Sequence, residues 1–359
     1  MTRFLLAGGG TAGHVNPMLA LAQSLRALDH EVITLGTKEG LEARLVPQRG
    51  FELLTIARLP FPRKPSGYAL LFPFRFAKAV GQVMRMIKVH QIEAVVGFGG
   101  YASAPAYLAA FLARKPLIIH EANALAGIAN RIGAKLTKNI AVAFANSDLS
   151  PAAITGMPLR PEIVDAVAGY DKEQARLELG MNPFMTTLLV TGGSLGAKSI
   201  NDAVIEAKSV LNAAGIQILH IVGDRANLEE LSEPGYRRIA YCDRMDAAIA
   251  AADMAISRAG SSTVSEFAAC GLPAVYVPYP VGNGEQKFNA ATLVEAGGGK
   301  IVADRDFTAE YISGELISIM SHSSSLRRMS EAAKSVGIPD ATERLRDLVL
   351  AAVNTNTRD

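Results

Sequence analysis

Phe4-Leu5-Leu6-Ala7-Gly8-Gly9-Gly10-Thr11-Ala12-Gly13-His14 stands at the start of the chain, and its reading decides the fold. A short apolar run, then glycines, then a helix-like segment (residues 15–28) with Met18, Leu21, Ala22 and Leu25 on one stripe is a strand, a tight loop and a helix. Glycine lets the backbone approach a phosphate, and the following helix aims free N–H groups at the anion. The same arrangement recurs at Gly97-Phe98-Gly99-Gly100-Tyr101 after Ala94-Val95-Val96, and at Gly192-Gly193-Ser194-Leu195-Gly196-Ala197 after Thr187-Leu188-Leu189-Val190. Glycine loops in both halves point to two anionic ligands.

Working outward, strand-like runs fall at residues 4–7, 32–35, 53–56, 94–96, 117–119 and 140–143. A second series falls at 188–191, 218–222, 238–240, 254–257, 274–277 and 300–302. Short apolar strands alternating with helices predict an α/β protein with two doubly wound, Rossmann-like parallel sheets. The 359 residues suffice for about two domains. Asn146-Ser147-Asp148 with Pro151, Pro158 and Pro161 reads as the linker, giving domains 1–158 and 159–340. Residues 341–353 read as a last helix and 354–359 as a frayed tail.

Composition narrows the function classes. A net charge of +2 gives no field for nucleic acid, so no nucleic-acid partner is expected. Cys242 and Cys270 make neither a disulfide framework nor a zinc site, which fits a reducing cytosol. The N-terminus is not a signal peptide, and no apolar run reaches the ~20 residues of a membrane span. No Asp or Glu lies between Glu52 and Glu93, whereas Arg58, Arg63, Lys64, Arg75, Lys78, Arg85 and Lys88 do. At ~100° per residue, Arg75, Lys78, Arg85 and Lys88 share one side of a helix, beside Leu70, Leu71, Phe72, Phe74 and Phe76. Either this is a surface helix with its apolar side in the core, or residues 68–90 meet an anionic membrane surface. The missing acids favour the membrane.

The first loop fits G-x-G-x-x-G through Gly8, Gly10 and Gly13, but the second strand ends Thr34-Leu35-Gly36-Thr37, and Glu39 comes late for a ribose. That weakens a nicotinamide oxidoreductase. His14 starts a helix, whose N-terminus disfavours an imidazolium, so it reads either as a proton acceptor or as a cap or phosphate ligand. In Ser257-Arg258-Ala259-Gly260-Ser261-Ser262-Thr263-Val264-Ser265-Glu266, the hydroxyls suit a sugar or phosphate. Glu266 suits two ribose hydroxyls or, blandly, the helix dipole. Gln286, after the Gly282–Gly284 turn, is a sugar ligand or part of a solvated loop. Asp304-Arg305-Asp306 looks like a metal-holding D-x-D but precedes a helix over 308–320, where Asp is an ordinary cap or first-turn residue. No metal is expected.

Seven pieces in order resemble one family: residues 9–14, 97–101, His120-Glu121-Ala122-Asn123, Gly156-Met157-Pro158-Leu159-Arg160, 192–197, 258–266 and 285–290. Together they resemble the MurG family, the peptidoglycan N-acetylglucosaminyltransferases of glycosyltransferase family 28, over nearly the whole chain. The resemblance implies a GT-B fold, with Rossmann-like domains facing across a cleft and the last helix (341–359) returning to the N-terminal domain. It implies inverting, metal-independent transfer of N-acetylglucosamine from UDP-GlcNAc to the MurNAc 4-hydroxyl of lipid I, giving lipid II for the cell wall. No cofactor is implied. The enzyme would sit peripherally on the cytoplasmic face of the bacterial plasma membrane, among cell-wall and division proteins.

By motif, His14 would be the base and Glu121 the second candidate. Glu266 would bind ribose, Arg160 would lie near the nucleotide and backbone groups at Cys242 would read uracil. Gly193, Ser194, Ser262 and Thr263 would hold the diphosphate, while Ser261, Gln286 and Asn123 would touch the sugar. Thr11, His14, Gly99, Gly100 and Tyr101 would meet the acceptor, with Thr11 and Gly13 also near the donor. Three positions depart from the family: Leu195 replaces a Gln, Glu285-Gln286 replaces Gln-Gln, and Ala12 replaces a glycine. A UDP-GlcNAc 2-epimerase shares fold and donor but gives the cationic apolar stretch no purpose. A membrane-attached nucleotide-binding scaffold leaves His14, Glu121, Glu266 and Gln286 without one.

Overall fold

Four of the five residues of β1 (Arg3–Ala7) have no solvent-exposed surface, as expected of a strand covered on both faces. Around it the computed structural model forms a seven-stranded parallel sheet in the order β3-β2-β1-β4-β5-β6-β7. The strands are β2 (Glu31–Thr37), β3 (Glu52–Ile56), β4 (Ala94–Gly97), β5 (Leu117–Glu121), β6 (Asn139–Val142) and β7 (Ala153–Ile154). The structure describes residues 1–356 except 63, 194, 195, 282 and 283.

The chain divides into two compact units, Met1–Arg160 with Asp340–Asp359, and Pro161–Pro339. In the N-terminal unit, α1 (Ala12–Arg26), α2 (Glu42–Gln48), α3 (Gly67–Val89), α4 (Ser103–Leu112) and α5 (Ile128–Gly133) join the strands. The boundary falls later than residue 158, for a packing reason. The proline-rich stretch read as a linker carries β7, which pairs with β6. Met157, 2% exposed, packs with Ala122 and Ala143, and Leu159 O accepts from Thr342 Oγ1 at 3.4 Å. The C-terminal helix Ala341–Asn356 inserts Leu345, Val349 and Ala352 beside Val15, Met18 and Leu25 of α1.

The second unit holds β8 (Thr186–Thr191), β9 (Ile216–Ile221), β10 (Leu231–Glu233), β11 (Tyr236–Ile239), β12 (Met254–Ser257), β13 (Ala274–Tyr276) and β14 (Gly299–Ile301). Their order is β10-β11-β9-β8-β12-β13-β14, and among the described residues only the β10–β11 pair is antiparallel. Both sheets reverse their winding beside the first strand of the unit, between β1 and β4 and between β8 and β12. Such switch points open a crevice at the carboxyl ends of the strands. The helix expected over 308–320 forms as one continuous run that contains a π turn: Ala309–Tyr311, Ile312–Leu316 and Ile317–Met320 follow one another without a break.

α3 is capped by Ser66, whose side chain accepts from Ala69 N. Ala79, Val80, Val83 and Ile87 face the core, while Leu70 (78% exposed), Leu71 and Phe74 (76%) face outward. So the helix has a buried apolar stripe and also an exposed one. No described helix is long and apolar enough to cross a membrane.

Candidate functional site

Both switch points carry the glycine loops. In the N-terminal unit the loops after β1 and β4 interlock. A Cβ on Gly100, at φ +88°, would meet Gly9 O at 2.4 Å, so the approach needs glycine. The Ser103 hydroxyl, 2.7 Å from Gly99 O and 2.9 Å from Ala7 O, ties the two strand ends. The loops border a recess of about 260 Å³ that includes Thr11, His14, Arg58, Gly100 and Tyr101. Gly13 follows in the first turn of α1.

His14 Nδ1 lies 3.0 Å from Gly9 O and 3.3 Å from Thr11 Oγ1. A ring nitrogen facing a carbonyl must carry the proton, so in the neutral ring Nε2 keeps the lone pair. A Cβ on Gly99, also at positive φ, would come within 3.2 Å of that Nε2. The arrangement leaves His14 able to accept a proton at Nε2. Arg58 lies over the Tyr101 ring, 4.8 Å from its centroid, and its NH2 donates to the phenol at 3.4 Å.

Glu121 has different surroundings from those of a free base. It is 1% exposed. Oε1 accepts from Asn123 N at 2.8 Å and from Asn123 Nδ2 at 3.4 Å. Oε2 accepts from Gly127 N at 3.0 Å and Asn130 Nδ2 at 2.8 Å. Asn130 Oδ1 in turn accepts from Tyr107, whose phenol burial pushes above its ordinary pKa. This geometry makes Glu121 the anchor of the loop carrying Asn123. His120, fully buried against Phe98, bonds Gly156 O at 2.9 Å, and burial lowers its pKa to about 4.

Glu42 was not among the residues singled out in the sequence. It has no exposed surface. Oε2 accepts from Gly10 N at 2.8 Å, and Oε1 accepts from Thr37 N and Thr37 Oγ1, both at 2.8 Å. Cβ atoms on Gly9, Gly36 or Gly40 would lie within 2.4 Å of its side chain. Glu42, three residues beyond Glu39, therefore turns inward and holds the glycine loop from behind, while Glu39 lines the recess. The signal in the sequence was Gly36-Thr37-Lys38-Glu39-Gly40-Leu41-Glu42, where small residues flank a carboxylate just past a strand.

In the C-terminal unit, the loop after β8 leads into α6 (Lys198–Ala213), and Gly193 N donates to Thr191 Oγ1 at 3.2 Å. Ser194 and Leu195 lie outside the described residues, as does Gly282. The loop after β12 enters α7 (Ser261–Cys270) at Gly260. Ser262 Oγ is buried with no hydrogen-bond partner among the described residues, directly at the start of that helix. Thr263 follows it, and Ser261 and Glu266 are buried in the same helix. An orphan hydroxyl at a helix N-terminus suits an anion. Cys242 is buried and its thiol pKa is raised by burial. Gln286, in the short helix Glu285–Asn289, accepts from Tyr279 N at 2.9 Å through Oε1, so its carbonyl is oriented rather than solvated.

Arg258 knits the strand ends of this unit together. NH1 donates to Val277 O at 3.0 Å and to Asp304 Oδ1 at 2.5 Å, and NH2 donates to Ser199 Oγ at 3.0 Å. Ser199 Oγ donates to Asp304 at 2.7 Å. Asp304 opens the 3₁₀ turn Asp304–Asp306 as a first-turn acid and is the ion-pair partner of Arg258. The nearby helix is capped by Thr308, which accepts from Tyr311 N. Arg160 closes the first segment of the N-terminal unit, where the sequence reading had given it to the second.

Comparison with known proteins adds an independent line. Residues 4–142 match the glycosyltransferase family 28 N-terminal domain, and residues 187–345 match the glycosyltransferase family 28 C-terminal domain. The chain is 53% identical to the UDP-N-acetylglucosamine–N-acetylmuramyl-(pentapeptide) pyrophosphoryl-undecaprenol N-acetylglucosamine transferase of Clavibacter sepedonicus, over 98% of this chain and 97% of that protein. The Leifsonia xyli subsp. xyli protein of the same name is 52% identical over 97% of this chain and 98% of its own length. Among solved structures, Acinetobacter baumannii MurG superposes with a TM-score of 0.80 at 28% identity, covering 98% of this chain and 100% of that one.

Proposed function

The chain belongs to glycosyltransferase family 28, and from that premise we propose that it transfers N-acetylglucosamine from UDP-GlcNAc to the MurNAc of undecaprenyl-pyrophosphoryl-MurNAc-pentapeptide, turning lipid I into lipid II in peptidoglycan synthesis. Full-length likeness to the Clavibacter transferase carries this reading. It does not favour the epimerase, which takes no lipid acceptor. The C-terminal unit takes the donor and the N-terminal unit the acceptor.

The reaction is a single displacement. The MurNAc 4-hydroxyl attacks C1 of the GlcNAc from the face opposite UDP, through an oxocarbenium-like transition state, and the configuration inverts. His14 accepts the hydroxyl proton at Nε2, held in register by the Gly9 carbonyl. Negative charge grows on the leaving UDP diphosphate. The start of α7, where the buried Ser262 hydroxyl has no partner among the described residues, supports stabilisation of that charge where it develops. Glu266 holds the ribose, and Gln286 meets the sugar. Glu121 is a positioning residue in this scheme, since both oxygens are engaged by the Asn123–Asn130 loop. Asp304 is committed to Arg258 and Ser199, so the scheme routes no step through a metal.

Exposed Leu70, Leu71 and Phe74 beside Arg75, Lys78, Arg85 and Lys88 support peripheral attachment to an anionic membrane. With a cytosolic nucleotide-sugar donor, that membrane face is the cytoplasmic one. The test is transfer of labelled GlcNAc to a lipid-linked MurNAc-pentapeptide pyrophosphate, with and without EDTA. Transfer unaffected by EDTA is expected. EDTA-sensitive transfer would remove the metal-free scheme, and bound donor with no transfer would remove the reaction.

A further inference from the structure

Beside the His14 recess lies a second groove of about 530 Å³, formed by the ends of β2 and β3 and the outer side of α3. Lys38, Glu39, Arg58, Arg75, Lys78 and Gln82 bring its polar atoms, and it shares Glu39 and Arg58 with the recess. We propose that this groove binds the pyrophosphate of the lipid acceptor, between the sugar at His14 and the prenyl chain at the exposed apolar face of α3. The assignment rests on the acceptor named above, a sugar joined through a pyrophosphate to a long hydrocarbon.

Three observations carry it. The first is charge. Four cations line the groove against the single carboxylate of Glu39, and Lys38, Arg75 and Lys78 make no ion pair among the described residues. A pyrophosphate diester carries two negative charges, and multiple Lys and Arg donors are the usual means of holding them.

The second is that the nearby glycine loop is partly spent. Gly10 N already donates to Glu42, whose buried carboxylate lies directly behind the loop. A phosphate placed over Gly10 would compete for that N–H and face a buried negative charge. The sugar recess can be lined by this loop, but the anion is better held next to it.

The third is order. In the acceptor the sequence is sugar, pyrophosphate, hydrocarbon. On the protein the sequence is the His14 recess, the cationic groove, and then Leu71 and Phe74, each one helical turn before Arg75 and Lys78 on α3. Arg58, stacked on Tyr101, stands where the two cavities join.

Arg75 and Lys78 would also attract membrane headgroups, so the experiment must separate the two sources of phosphate. A soluble acceptor with a short prenyl chain is titrated into the full chain without vesicles. The Arg75→Gln/Lys78→Gln double variant is expected to lose about tenfold or more in acceptor affinity. UDP-GlcNAc affinity and kcat should stay within about twofold while acceptor KM rises. An analogue bearing one phosphate should bind the wild type more weakly than the pyrophosphate, and the double variant should lose that preference. The Arg85→Gln/Lys88→Gln variant, on the same helix outside the groove, should keep wild-type affinity for the soluble acceptor while losing affinity for anionic vesicles. Unchanged acceptor affinity in the groove variant overturns the proposal. So does an equal loss in the Arg85/Lys88 variant, or displacement of the acceptor by a soluble anionic phospholipid of equal affinity. A wild type that binds the acceptor through the groove but transfers no sugar would retain the groove and remove the reaction.

Discussion

Replacing Glu42 with Gln tests whether the first glycine loop is held from behind. The carboxylate accepts three hydrogen bonds, one from Gly10 N and two from Thr37, each 2.8 Å long, with no solvent access. Glutamine has one acceptor oxygen. If that oxygen keeps the two Thr37 donors, the amide NH2 faces Gly10 N–H and leaves it unsatisfied. A buried donor without a partner costs roughly 1–3 kcal/mol, and the two remaining bonds lose their charge assistance. The sum is about 2–4 kcal/mol. For a unit of this size each kcal/mol moves Tm by roughly 2–4 °C, so a fall on the order of 10 °C is expected in the N-terminal unit's transition. Thermal unfolding by far-UV circular dichroism reads this, and hydrogen exchange at the Gly10 amide should accelerate. Exposed Glu39→Gln is the control and should stay within about 0.5 kcal/mol. If Glu42→Gln is as mild as that control, the carboxylate is not what holds the loop.

His14→Ala should lower kcat by more than ~10²-fold with UDP-GlcNAc binding unchanged, and a small loss in kcat would remove His14 as the base. Ser262→Ala removes a hydroxyl that has no hydrogen-bond partner among the described residues, so stability should hold or rise slightly while UDP-GlcNAc affinity falls about tenfold or more, read by calorimetry and thermal shift. Burial opposes the charge of His120 and lowers its pKa from the ordinary 6.5 to about 4. The unfolded chain therefore binds more protons between those values, and stability present above about 6.5 is lost as pH falls towards about 4, by about 3 kcal/mol. A His120→Gln variant whose denaturation midpoint keeps the same pH slope in that window would contradict this.

The fold was legible because its signals are local. Fully buried parallel strands read as short apolar runs, and the glycines between them mark loops whose backbones must approach something closely. β7 and β10 escaped because each has only two or three residues, and the two side chains of β7 are exposed within a proline-rich stretch. Glu42 escaped for another reason. Its role exists only once β1 and β2 pair and bring Gly9 and Gly36 round one carboxylate, a contact across strands that no spacing announces. Glu121 was visible as a polar residue at a strand end. Its four hydrogen bonds, which argue for positioning, come from a loop and a helix folded back over it. Asp304 looked like half of a metal motif or a cap, and only the tertiary fold brings Arg258 to it.

One spectrum tests the account most directly: proton NMR of the disaccharide formed from UDP-GlcNAc and a lipid-linked MurNAc-pentapeptide pyrophosphate. It reads transfer, the hydroxyl that reacted and the stereochemistry together. A β-linked GlcNAc on the MurNAc 4-oxygen is the expected product. An α linkage, linkage at another hydroxyl, or an epimerised UDP-sugar with the acceptor untouched would contradict it.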